Sequence, residues 1–200
     1  MKKDYISKYD NAERRFLGEP IELRDATTRT ITGYAAVFNK DSEDMGGWIE
    51  RIAPGAFDDV LSDPAMVLFN HDPNLVLARN GVNATLSVDD VGLRYTFESP
   101  NTTLGNDLLE LVRTKTLDKS SFAFTVKEQL RTMPENKGDM AIRTITKVAR
   151  LYDVSPVTYP AYPDTTVAQR SFDEDRDAMQ VELDIKRKQI ELDLFKLKHN

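Results

Sequence analysis

From Pro20 onward, apolar and polar residues alternate in short runs broken by Gly, Pro, Asn and Asp. This is the pattern of half-buried strands joined by turns. Ile21–Arg24 and Thr30–Phe38 read as a hairpin around Asp25–Thr28. Trp48–Ile52 is a further short strand. Pro54 stands where a first-turn proline is tolerated, so Gly55–Leu61 reads as a short helix. Met66–Phe69 and Leu75–Ala78 are apolar strands on either side of an Asn-His-Asp-Pro turn, Asn70–Pro73. Val82–Val88 and Leu93–Phe97 alternate around Asp89–Gly92 and form a second hairpin.

Thr102 can cap a helix whose apolar face is Leu104, Leu108, Leu111 and Val112. Strands follow at 121–130 and 140–159, with Pro134–Asp139 as a polar turn between them. Many strands with two embedded helices predict an α+β domain, mostly antiparallel or closed into a barrel, over residues 20–170. Residues 1–19 are polar and charged, and read as a mobile N-terminal arm. After Tyr162-Pro163-Asp164 the composition changes. Ser171 and Glu174 match a capping box, and a long helix is expected from there to about Lys198 within a segment 171–200. Ala178, Val181, Ile185, Leu192 and Phe195 lie on one side of it; Leu183, Ile190, Leu194 and Leu197 lie nearly opposite, at about 100° per residue. A helix apolar on two sides needs two covering surfaces, so it is expected to mediate homo-oligomerisation or docking onto a partner protein.

The chain's 200 residues are enough for one domain with a real core. No apolar run reaches membrane-spanning length, and the Met1–Ile6 start lacks the apolar stretch of a signal peptide; no membrane association is expected. A net charge of −6 without a basic cluster argues against nucleic acid as the main partner. There is no cysteine, which excludes disulfides, thiolate nucleophiles and thiolate-bound zinc. With two histidines, one of them His199 beside the C-terminus, a histidine-rich metal site is not expected, and no cofactor is called for.

Imidazole acid–base chemistry near neutral pH therefore falls to His71, in a polar turn after an apolar strand. Fifty positions later, Ser121 precedes Phe122-Ala123-Phe124 on an alternating strand. A serine hydroxyl becomes nucleophilic when a base within hydrogen-bond reach takes its proton. The base in turn needs an orienting partner; the candidates are Asp72, whose adjacency aims it elsewhere, and Asp153 in Arg150–Pro156. By period-two alternation Leu151, Asp153 and Ser155 share one strand face opposite Tyr152 and Val154. Arg143 and Arg150 flank the region, and either could support an oxyanion. For each of these residues a bland role is also open: a strand serine, a turn histidine, an exposed aspartate, surface arginines.

Joined in order, Gly33–Asn39 (GYAAVFN), Glu50–Phe57 (ERIAPGAF), Leu68–Asp72 (LFNHD), Ser121–Phe124 (SFAF) and Asp153–Tyr162 (DVSPVTYPAY) resemble the prohead serine proteases of tailed phages. Order and spacing match over roughly residues 20–170. The resemblance implies a fold similar to herpesvirus assemblin, a small, mostly antiparallel β-barrel ringed by helices. It implies an endopeptidase inside the immature capsid, in the host cytoplasm, which removes the scaffolding segment of the major capsid protein and usually digests itself. It places the catalytic histidine on His71, the nucleophile on Ser121 in preference to Ser120, and the acid on Asp153; of the two flanking arginines, Arg143 is the one expected to support the oxyanion. One departure is Ala123, where many relatives carry glycine; it matters if the backbone there must take positive φ. The rival reading is a catalytically inactive assembly or scaffolding protein with the same fold.

Overall fold

The computed structural model describes residues 12–16, 20–24, 28–45, 47–134, 139–159, 181 and 184–193. The chain divides into two units, residues 1–164 and 165–200.

The first unit is built on β9 (Lys119–Thr132) and β10 (Ala141–Val157), which pair antiparallel over most of their length. Two other strands pair with β10: β4 (Trp48–Ile52) along Ala141–Ile145 and β5 (Met66–Phe69) along Asp153 and Val154. Both pairings are parallel. β6 (Asp72–Arg79) continues from β5 as a hairpin, and β1 (Glu13–Arg15) lies antiparallel on β9, completing a six-stranded sheet. A four-stranded sheet has the order β2 (Glu22–Leu23), β3 (Thr30–Val37), β8 (Gly92–Glu98), β7 (Ala84–Val88). Side chains from both sheets form one core, with Ile31, Leu93, Tyr95 and Phe97 from the smaller and Phe122, Phe124, Val148 and Leu151 from the larger. Phe57 meets Phe122 edge-on at 5.7 Å between ring centroids, an arrangement that suits the ring quadrupoles.

α1 (Thr103–Arg113) starts as its sequence predicts: Thr102 accepts from the Gly105 N–H at 3.1 Å, and Leu108, Leu109 and Val112 are buried. Three expectations change. The strands form two sheets and, among the described residues, no closed barrel; their pairings are mostly antiparallel, as expected, with β10 taking β4 and β5 in parallel. The segment 55–61 is a run of turns rather than a helix. Gly55 takes φ +80° behind Pro54, and Ala56 N–H bonds the Ala53 carbonyl, so Pro-Gly makes a type II turn that breaks helical geometry at its start. Residues 13–15, assigned to a mobile arm, form β1 with Ala12, Glu13 and Arg15 buried. Their charges mask a strand because they pair with one another inside the protein. In the second unit residues 184–193 are helical; the remainder of the helix expected over 171–198, apart from residue 181, and most of the 134–139 turn lie outside the described residues.

Candidate active site

The β5–β6 hairpin carries the first site residue. Phe69 pairs with Asp72, so the loop has two residues, Asn70 and His71, with φ of 54° and 55°. Positive φ at both positions is the type I′ turn, which matches the twist of the flanking strands. Asn suits its first position. The second ordinarily takes glycine, and here holds His71. A left-handed conformation costs an L-residue roughly 1–2 kcal/mol, and such strain is concentrated at functional positions. Asn70 anchors the turn to the end of β10: its N–H bonds the Pro156 carbonyl at 3.0 Å, and its Oδ1 accepts from Thr158 N–H at 2.9 Å and Thr158 Oγ1 at 3.2 Å.

The second and third residues come from β9 and β10. Ser121 lies opposite Ser155 and Phe122 opposite Val154. Strict alternation would place Leu151 and Asp153 on one face. Instead the register shifts between them: Leu151 lies opposite Phe124, and Asp153 opposite Ala123. Residues directly across a ladder share a face, so this bulge at Tyr152 sends Leu151 into the core and turns Asp153 toward Ser121. Bulges re-aim side chains in this way.

The three side chains meet in line. His71 Nδ1 is 2.6 Å from Asp153 Oδ1, and His71 Nε2 is 2.7 Å from Ser121 Oγ. Ser155 Oγ donates to the same Asp153 oxygen at 2.6 Å. With Nδ1–H donating to Asp153, Nε2 is left as the acceptor for the serine proton. Asp72 is turned away, its Oδ1 accepting from Asn74 N–H and Nδ2 at 2.9 Å each, which leaves Asp153 as the partner of the base. Ser120, the competing nucleophile, bonds the Tyr95 hydroxyl at 2.6 Å instead. Burial pushes that phenol's pKa up against the opposing effect of Ser120. Ala123 is not in the positive-φ region, so β9 does not demand glycine there.

Arg143 is in another place. Its Nη1 bonds Glu13 at 2.7 Å and Glu50 at 2.8 Å, its Nη2 bonds Glu13 at 2.8 Å, and its Nε bonds Gln129 at 2.7 Å. Arg15 Nε bonds Glu50 at 2.6 Å, and Arg15 also pairs with Glu13. These two acids and two arginines are all buried, so Arg143 is a member of a neutral ion cluster rather than an oxyanion donor. Burial opposes ionisation of Glu13, yet hydrogen bonds and charge from Arg143 and Arg15 outweigh it and lower its pKa. Burial likewise works against the charged form of Arg143, and Glu13 and Glu50 overcome it, raising its pKa. Arg150, the other flanking arginine, lies over the Tyr152 ring at 4.9 Å. Ser155, which bonds Asp153, was not singled out from sequence as a site residue, although its spacing of two from Asp153 was a signal; Glu13 and Arg15, of the ion cluster, left none.

Taken together, these contacts hold an activated-serine arrangement: a hydroxyl, an imidazole in position to take its proton, and a carboxylate that orients the imidazole. No curated protein and no solved structure matches the chain. A protein family described as caudovirus prohead serine protease matches residues 19–179, a span that includes His71, Ser121 and Asp153. The chain therefore belongs to the caudovirus prohead serine protease family.

Proposed function

We propose that the protein is the serine endopeptidase of capsid maturation, acting inside the prohead in the host cytoplasm. Its substrate is the scaffolding segment of the major capsid protein, and copies of the protease also cut one another or themselves. The observation that carries this reading is the Ser121–His71–Asp153 relay, closed at 2.7 and 2.6 Å from three segments distant in sequence. In the reaction, His71 takes the Ser121 proton as Oγ attacks the scissile carbonyl carbon. It then delivers that proton to the leaving amine, and a water hydrolyses the acyl-enzyme by the same route. Asp153, fixed by Ser155, holds the imidazole's tautomer and stabilises the imidazolium. Kinship with the herpesvirus assemblin fold and pairing or scaffold docking through the C-terminal segment complete the proposal; they rest on the order of the sequence motifs and the two apolar stripes.

The test is co-expression of the protein, or its Ser121→Ala variant, with the matching major capsid protein, followed by mass measurement of both. Capsid protein shortened by the wild type alone is the expected result. No shortening by either, in capsids that contain the protein, would replace this reading with a scaffolding role.

A further inference from the structure

β1 is an edge strand added to the body of the domain. It occupies the outer edge of β9, pairing Glu13, Arg14 and Arg15 with Phe124, Ala123 and Phe122, so it ends beside the nucleophile. Ser121 Oγ donates to the Arg15 carbonyl oxygen at 3.1 Å. Ser121 is 0% exposed and His71 7%, so the relay is closed to solvent with β1 in place. Addition of an extended chain to a free sheet edge is a general mode of peptide recognition, with main-chain bonds for affinity and alternate side chains for specificity. β1 also precedes the span matched to the family, 19–179.

We propose that β1 is a self-docked substrate strand that keeps the protease latent, and that the site it fills selects peptides with a carboxylate two residues before an arginine. This rests on the reading of Ser121 as nucleophile. The latency follows from one proton and two acceptors. Ser121 Oγ–H is shared between His71 Nε2 at 2.7 Å and the Arg15 carbonyl at 3.1 Å, so β1 competes for the proton that His71 must remove. The selectivity follows from the ion cluster. Glu13 and Arg15 stand two apart on one strand face and bring in one negative and one positive charge. On the body of the domain, Arg143 receives the Glu13 carboxylate and Glu50 receives the Arg15 guanidinium. When β1 leaves, Arg143 and Glu50 remain bonded at 2.8 Å as a neutral pair. An incoming strand with an acid and a base at the same positions restores the four-charge cluster; the reversed order sets like charges against each other in a buried site, which is costly. Glu50 and Arg143 are thus specificity residues, and Arg15 marks the position preceding the bond offered to Ser121.

The experiment uses the full chain and two readouts. The first is the rate at which a fluorophosphonate probe labels Ser121 in the wild type, in Arg15→Ala and in Ser121→Ala. The second is hydrolysis, by the released form Arg15→Ala, of two fluorogenic peptides, one ending Glu-Ala-Arg before the reporter and one ending Arg-Ala-Glu. Labelling at least tenfold faster in Arg15→Ala than in the wild type, none in Ser121→Ala, and at least tenfold preference for Glu-Ala-Arg are expected. If Arg15→Ala does not fold, an Arg14→Cys/Ala123→Cys pair on opposite positions of β1 and β9 gives the same comparison, oxidised against reduced, in a chain with no other cysteine. Equal labelling with β1 held and released, or equal cutting of the two peptides, would overturn the inference. Absence of labelling in every form would instead remove Ser121 as nucleophile, and this inference with it.

Discussion

Asn70 offers the sharpest test of how the fold holds His71, the proposed base. It never touches Ser121 or Asp153; it is a positioning residue that acts through the turn. Asn70→Gly keeps the φ of 54° accessible but removes the side-chain acceptor for Thr158 N–H and Oγ1. Both bonds are at an exposed site, where water replaces much of the loss, so a cost of about 1 kcal/mol is expected. Asn70→Ala loses the same bonds and also puts alanine in the left-handed region, which adds roughly 1 kcal/mol. For a domain of this size each kcal/mol is about 2–4 °C in Tm. The glycine variant should thus melt about 2–4 °C below the wild type, and the alanine variant about 4–8 °C below. Activity should separate from stability. A base displaced by about 1 Å loses on the order of 100-fold, and partial release of the turn should cost about tenfold. The assay is the second-order rate of Ser121 labelling by a fluorophosphonate, together with kcat and KM on one peptide, all well below the melting range. The loss should lie in labelling and kcat, with KM within about twofold, since Asn70 takes no part in binding in this account. Lower Tm with labelling and kcat unchanged in both variants would show that the bond to Thr158 does not place His71.

Other perturbations probe the relay and the charge cluster. Ser121→Ala and His71→Ala should each lower turnover on the order of 10⁶-fold, and Asp153→Asn on the order of 10⁴-fold, as in other triads, measured by peptide hydrolysis at matched folding. Ser120→Ala should retain activity but lose about 1–2 kcal/mol in denaturant unfolding, since it strips the buried Tyr95 hydroxyl of its partner; inactivity of a folded Ser120→Ala would mean that the nucleophile is misassigned. Glu13 has a depressed pKa, so its stabilisation is present in full above its ordinary value near 4.5 and is lost as pH falls through the lower folded value. Glu13→Gln should flatten that part of the acid-unfolding curve and cost about 3–5 kcal/mol at neutral pH by leaving buried arginine charge uncompensated. An unchanged acid limb in a titration followed by circular dichroism would refute the placement of Glu13 in the cluster.

Local rules carried much of the fold. The hairpins β2–β3, β5–β6 and β7–β8 and the cap at Thr102 were legible because a turn and the alternation beside it are close in sequence, and short-range geometry leaves few alternatives. His71, Ser121 and Asp153 were also legible as candidates, from the scarcity of histidine and the order of five short motifs, and the structure brings the three together. Pairings between distant segments were not. Nothing local says that β10 takes β4 and β5 in parallel, or that β1 adds to β9. The same holds inside the site. Alternation put Leu151 and Asp153 together, and one extra residue in a bulge separated them. The histidine's left-handed conformation follows from Phe69 pairing with Asp72. Arg143 read as a surface or oxyanion residue because the acids that bury it, Glu13 and Glu50, lie 130 and 93 positions away. Sequence by itself therefore determined which chemical groups the protein has and the local elements that bear them. Tertiary structure decided which groups meet, because strand register, bulges and the pairing of buried charges are set by contacts between segments whose separation along the chain carries no geometric information.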